Sequence, residues 1–367
     1  MGWSCQLSVD NGVPSDAPVQ LDGPCDLDGL LDDWRVSRIE AATNFVPLDM
    51  DFAGTELGVC LDQRGRLWRT DNQGLSWSPS EFEELTATPE PGQLRHVTFS
   101  QAGTLWVVTN DNRQPRLWHS DDGGDSFEER SMPGAEELYD IAFVDEQRGL
   151  ALARLRLVPD PVLFETTDGG RLWTTVSLPE VAAVGDRLFA GPANSLLLNT
   201  RDTAGRTLLL QHLPDATWRA PGQPLMNAPY KDLISFLAMS DQTWLASYQA
   251  RDPGVFSGLF NARVYRTTDA GATWQEVLKH DHNSPAVGQL PGGGPGFLFT
   301  AYRVTKTEGE REIRVDAFEV DATTNDGRNW SKRIVPESCA LTGPFAAPSP
   351  EVLVIARRGS FLRIDLR

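Results

Sequence analysis

Thr267-Thr268-Asp269-Ala270-Gly271-Ala272-Thr273-Trp274 is an eight-residue stretch with four close copies in the chain. They are Thr70-Asp71-Asn72-Gln73-Gly74-Leu75-Ser76-Trp77, Ser120-Asp121-Asp122-Gly123-Gly124-Asp125-Ser126-Phe127, Thr166-Thr167-Asp168-Gly169-Gly170-Arg171-Leu172-Trp173 and Thr323-Thr324-Asn325-Asp326-Gly327-Arg328-Asn329-Trp330. The shared form, here called the box, is Ser/Thr-x-Asp/Asn-x-Gly-x-x-Trp/Phe. A degenerate sixth copy ends at Asp215-Ala216-Thr217-Trp218. The closing aromatics fall at 77, 127, 173, 218, 274 and 330. Such a period of about 40–50 residues is that of a four-stranded propeller blade.

An apolar strand precedes each box, as in Arg66-Leu67-Trp68-Arg69, and another follows, as in Trp274-Gln275-Glu276-Val277. The box is therefore expected to be the hairpin turn between the last two strands of a blade. Asp or Asn accepts hydrogen bonds from the turn's own amides, and Ser/Thr does so more weakly. Glycine supplies the positive φ. The aromatic is expected to bury between neighbouring blades. The structural set is thus Asn72, Gly74, Trp77, Asp122, Gly124, Phe127, Asp168, Gly170, Trp173, Asp269, Gly271, Trp274, Asn325, Gly327 and Trp330. Asn72 and Asn325 in the acidic slot fit a turn, since an amide could not act as a general acid.

The C-terminal part supplies most of one more blade. Val352-Leu353-Val354-Ile355-Ala356 reads as a buried strand. Gly359-Ser360-Phe361-Leu362-Arg363-Ile364-Asp365 aligns with Gly65-Arg66-Leu67-Trp68-Arg69-Thr70-Asp71. The missing last strand is sought near the other end, at Asp33-Trp34-Arg35-Val36-Ser37-Arg38-Ile39. The expectation is an all-β, seven-bladed β-propeller of four-stranded antiparallel blades, closed by N- and C-terminal strands in one shared blade. A six-bladed count is the alternative if residues 33–39 pair elsewhere. Residues 1–32 are expected to form an irregular head, and 33–367 the single propeller. Closure removes free sheet edges.

The repeat resembles the Asp-box (bacterial neuraminidase) repeat family over nearly the whole chain, and in that family the box is structural. Two groups of such propellers suggest uses for the face opposite the boxes. Photosystem-assembly propellers are similar in using an arginine-rich patch for a protein partner. Sialidases hold a substrate carboxylate with an arginine triad and use a tyrosine–glutamate pair. The sialidase pattern departs here: Arg38-Ile39-Glu40 lacks the proline of that family's Arg-Ile-Pro segment. Tyr248 and Tyr302 have no identifiable glutamate partner.

The 367 residues include 51 Asp and Glu against 33 Lys and Arg, a net charge of −18. Nucleic acid is disfavoured as a partner, because its affinity comes from cations replacing counterions. A basic protein is compatible. No run approaches the roughly 18 apolar residues of a membrane helix. No CxxC pair, Gly-x-Ser-x-Gly elbow or P-loop occurs. His280-Asp281-His282 is a poor chelate without further ligands. No catalytic residue, metal or cofactor is assigned. Cys5 and Cys25 could pair in an oxidising compartment. That would place the protein in the periplasm or outside the cell, and otherwise in the cytoplasm. Cys60 reads as a buried thiol, and the protein as a monomer.

Two features on the opposite face are the candidate binding residues. Arg154, Arg201, Arg251, Arg303 and Arg357 end the second strands of successive blades, where arginine forks suit carboxylates. Their alternative role is to pair with nearby acids and tie loops. Tyr230, Phe256, Leu259 and Phe260 are apolar residues in loops beside the charged stretch Arg303 to Asp316. Together they form a candidate protein-docking patch.

Overall fold

The computed structural model describes residues 34–366, apart from 43, 81–94, 101–102, 112–113, 133, 159, 181, 183, 223–230, 252–259, 281–285, 289–296, 309–310, 324, 337–343 and 350. The expected head, Cys5, Cys25, Cys339, Tyr230, Phe256 and Leu259 lie outside the described residues.

The described chain is all-β. Strand β1 (Trp34–Glu40) comes first. Blade I is β2 (Pro47–Ala53), β3 (Leu57–Asp62), β4 (Leu67–Thr70) and β5 (Ser78–Pro79). Blade II is β6 (Arg95–Phe99), β7 (Leu105–Asp111), β8 (Gln114–Ser120) and β9 (Glu128–Arg130). Blade III is β10 (Ala135–Phe143), β11 (Gly149–Leu155), β12 (Val162–Thr166) and β13 (Thr174–Thr175). Blade IV is β14 (Val184–Ala190), β15 (Leu196–Arg201), β16 (Thr207–His212) and β17 (Trp218–Arg219). Blade V is β18 (Lys231–Ala238), β19 (Trp244–Arg251), β20 (Phe260–Thr267) and β21 (Gln275–His280). Blade VI is β22 (Ala286–Gly288), β23 (Phe297–Glu308), β24 (Arg311–Ala322) and β25 (Ser331–Pro336). The last strands are β26 (Phe345–Ser349), β27 (Val352–Arg357) and β28 (Ser360–Leu366).

Each of blades I–VI is an antiparallel meander of four consecutive strands. Blades formed whole from continuous chain therefore number six rather than seven. The remaining four-stranded sheet is composite, in the order β1-β28-β27-β26. There Trp34 to Glu40 pair in sequence with Leu366 to Ser360. The two ends of the described chain are thus joined by backbone hydrogen bonds. First strands lie side by side between blades I and II, II and III, III and IV, and V and VI; β18 lies beside β16 of blade IV, and β26 lies beside both β22 and β2, so the sheets form a closed β-propeller.

The seam between the closing sheet and blade I is aromatic. Phe361, fully buried, stacks on Trp77 at 4.2 Å and 4°, and Phe45 meets both Phe361 and Trp68. Cys60 is buried in this cluster, and burial pushes its thiol pKa up. The seam between blades II and III repeats the device, with Trp106 stacked on Phe143 at 3.8 Å and 4°.

Candidate functional site

All five box turns have one hydrogen-bond pattern. The Ser/Thr hydroxyl accepts the glycine amide, at 3.0, 2.7, 2.8, 3.0 and 2.9 Å in chain order. The same hydroxyl donates to Oδ1 of Asn72, Asp122, Asp168, Asp269 or Asn325. That Oδ1 then accepts the amide four residues on, at 2.8–3.0 Å. An amide oxygen does this as well as a carboxylate, so the box needs an acceptor rather than a charge. Hydrogen bonds from Ser126 and Ser120 hold the Asp122 carboxyl near 2, against the opposing effect of burial, which is the largest single influence. Bonds from Thr273 and Thr267 hold Asp269 near 2.

The box glycine also sets blade spacing. Gly327 has φ +74°, and a Cβ there would lie 2.6 Å from Leu245 of blade V. Trp77, Phe127, Trp173 and Trp330 pack into clusters that include the preceding sheet's residues.

Blade IV lacks the box, and its seam is held differently. His212 stands where other blades place the box Ser/Thr, paired with Leu196 at the start of the second strand. Arg148 of blade III crosses to it. Arg148 Nη2 lies 2.9 Å from His212 Nδ1 and donates to Leu213 O at 2.7 Å; Nη1 donates to Asn194 O at 2.8 Å. Its Nε pairs with Glu165 at 3.2 Å. Burial first, and then Arg148, push the His212 pKa down, while Glu165 opposes.

Strand pairing places the arginines on the other face. Each second strand starts beside a box (Gly58↔Thr70, Gly149↔Thr166, Trp244↔Thr267) and so ends on the face away from it. Arg154, Arg201, Arg251 and Arg357 lie at or next to those far ends, and Arg303 lies level with them within β23. Arg154 is already paired, with Glu137 at 3.1 Å and Glu136 at 3.5 Å. Arg201 and Arg357 also have interaction partners. Phe260 opens β20, paired with Arg251.

The stretch Arg303 to Asp316 differs from the expected loop. It is a β-hairpin: β23 and β24 are twelve residues each and stay paired from Phe297↔Ala322 out to Glu308↔Arg311. Beyond Arg303 the arm runs a further five residues, about 16 Å at 3.3 Å per residue.

Tyr265 donates to Glu276 Oε2 at 3.2 Å, with Arg263 on the same carboxylate. This tyrosine–glutamate contact sits between β20 and β21, the outer strands of blade V, away from the channel wall. Tyr248 is buried, and burial raises its pKa.

The channel wall holds a group that the sequence reading missed. Asp49, His96, Asp140, Arg187 and Ser235 occupy one register position on the first strands of blades I–V, opposite Leu61, Val108, Leu152, Asn199 and Ser247. In four of these strands a β-bulge immediately precedes the residue, a device common beside functional sites. His96 Nδ1 is 2.5 Å from Asp49, and its Nε2 is 3.9 Å from Asp140. Asp49 also accepts Val97 N at 2.9 Å, Asp51 accepts Phe99 N at 2.8 Å, and Asp140 accepts Leu188 N at 2.9 Å. Each carboxylate thus clasps the next blade's first strand. Burial opposes protonation of His96 most strongly, but Asp49, Asp140 and Asp51 together raise its pKa to about 9. Desolvation raises Asp51 to about 6. The available signal was a polar residue recurring at the blade period inside first strands. Among the described residues, no group of three or more His, Cys, Asp or Glu is arranged to hold a metal, and no helix is long and apolar enough to cross a membrane.

No family model matches the chain, and no curated protein does. Solved structures do. YCF48 bound to D1 peptide is 16% identical with TM-score 0.53, covering 90% of this chain and 96% of that one. The GH74 xyloglucanase from Xanthomonas campestris is 14% identical with TM-score 0.55, covering 91% of this chain. The match spans 54% of that enzyme, about half its length. At these identities the likeness is one of fold: the chain is a β-propeller.

Proposed function

We propose that this propeller is a non-catalytic scaffold that binds a protein partner through the face opposite the boxes, as an assembly or stability factor or an immunity-type cover. The blade VI arm carries this reading. A paired hairpin extending about 16 Å past the level of the arginines is a backbone feature that the propeller's closure does not require. A propeller of the same fold is solved with a peptide bound. The net charge of −18 suits a basic partner. The single-domain organisation, with residues 1–32 as an appended head, belongs to the same reading. In this reading Arg201, Arg251, Arg303 and Arg357 supply polar contacts to the partner, and Tyr230, Phe256, Leu259 and Phe260 the apolar ones.

The test shortens the arm. Arg303 and Asp316 are directly paired, so an Asn-Gly turn can replace residues 304–315 without changing register. Tagged wild-type and shortened chains are used to capture proteins from source cells, and each candidate is then purified and titrated against both. The expected result is one saturable partner whose affinity falls at least about tenfold on shortening. A partner bound equally by both chains removes the arm from the reading. Turnover of a sialoside or another glycoside by the wild-type chain would overturn the non-catalytic assignment.

A further inference from the structure

Neighbouring box hairpins enclose clefts on the box face, and two of these clefts can be compared position by position. Arg69 and His119 correspond, each paired with the residue just after its box aromatic (Arg69↔Ser78, His119↔Glu128). Asp125 and Arg171 correspond, each following a box glycine. Ser80 and Arg130 correspond, each three residues past the aromatic.

Between blades I and II the cleft is bridged: Arg69 pairs across it with Asp125. Between blades II and III the carboxylate position holds Arg171 instead, facing His119. Arg130 adds a second cation where blade I has serine. Its side chain is only 4% exposed. Nη1 pairs with Glu128, while Nε is buried with no hydrogen-bond partner. His119 is fixed edge-on against Trp106, with ring centroids 4.6 Å apart. Burial and then Arg130 lower its pKa. Asp121 and Glu146 also line the cleft and Glu128 pairs with Arg130, but all three are exposed, as is Arg171. Water screens exposed charges far more than buried ones, so Arg130 weighs most in the field inside. The cavity is about 100 Å³, roughly the share of three waters, which matches a carboxylate or phosphate group.

We propose that the cleft between blades II and III binds a small oxyanion, a carboxylate or phosphate group, which supplies the cross-blade bridge that Asp125 makes between blades I and II. The Arg171 guanidinium and the His119 ring are its donors, and the buried Arg130 charge beside them adds to the field. Charge-assisted bonds from a guanidinium are the strong class for such ligands. The site lies on the face opposite the proposed docking arm and does not depend on it.

The test is isothermal titration calorimetry of the full chain with sodium phosphate and, separately, sodium acetate, at constant ionic strength against sodium chloride. One saturable site is expected for at least one of them, and the preferred anion tells a phosphate from a carboxylate ligand. Arg171→Asp places a tethered carboxylate in the cleft, as in blades I and II. It should preserve or raise Tm while weakening anion binding by about tenfold or more. Arg130→Gln should weaken binding similarly. Heats indistinguishable from chloride for both anions would overturn the proposal. So would unchanged affinity in a folded Arg171→Asp protein.

Discussion

Replacing His96 with glutamine should flatten the alkaline side of the stability–pH curve. The imidazolium lies between Asp49 and Asp140, and its pKa rises from 6.5 to about 9 in the fold. A folded pKa above the unfolded one stabilises at low pH, fully so below 6.5, and the gain is lost as pH rises through 9. At 1.36 kcal/mol per pKa unit the ceiling is about 3 kcal/mol. A third of the side chain is exposed, and screening reduces the expected effect to about 1–2 kcal/mol. Urea denaturation at pH 7 and pH 9.5 measures it. Asp51, raised to about 6, has lost its own low-pH contribution almost entirely by pH 7, so it falls outside the window. The buried Cys60 thiol, with its raised pKa, also favours the lower pH, but equally in both proteins. Wild type should therefore lose about 1–2 kcal/mol more than His96→Gln across the window. Equal losses in the two proteins would refute the clasp as an ionic device.

Phe361→Ala removes the ring that Trp77 and Phe45 pack against at the closing seam. It should cost about 3–5 kcal/mol, read as a lower urea midpoint with unchanged slope. A cost below about 1 kcal/mol would mean the composite sheet does not hold the ring closed. Asp122→Asn should be nearly neutral at pH 7, because the acceptor for Ser126 N remains. Asp122→Ala should cost about 1 kcal/mol, as the loss of a capping side chain does. In acid the wild-type turn loses its advantage as pH falls from about 4 through about 2, and Asp122→Asn should show a shallower acid limb in thermal melts.

The box was legible because its chemistry is local. A hydroxyl, an acceptor two residues on and a glycine four residues on complete a turn with no outside help, and all five copies share it. The closing strands were legible by alignment, since residues 359–365 carry the apolar pattern of 65–71 and β28 pairs with β1. The blade VI arm was not. Glu308-Gly309-Glu310-Arg311-Glu312 reads as a loop, and its charge obscured the β-branched Val304, Thr305, Thr307, Ile313 and Val315 around it. The channel clasp was hidden for another reason. Asp49, Asp51 and Asp140 look like solvated acids among 51; what marks them is a bond to a strand about 48 residues away, made only once the blades curl into a ring.

A repeat protein contains its own controls, and the seams show what each position must supply. Where a box is present, neighbouring sheets are joined by the glycine's close approach and by the aromatic. At the blade III–IV seam there is no box glycine or threonine, and Arg148, Glu165 and His212 join the sheets beside the packed Trp218 and the Asp140–Leu188 bond. The substitution is not equivalent in kind. A box keeps its bonds at any pH above its depressed carboxyl pKa, and its asparagine versions do so without a charge. The Arg148 network depends on a largely desolvated ion pair, Arg148 with Glu165, and removing one partner leaves the other unpaired. The boxless seam should therefore be the one most sensitive to a single substitution. At blade IV a long side chain from the preceding blade reaches four acceptors at once, and so spans the seam where the box is missing.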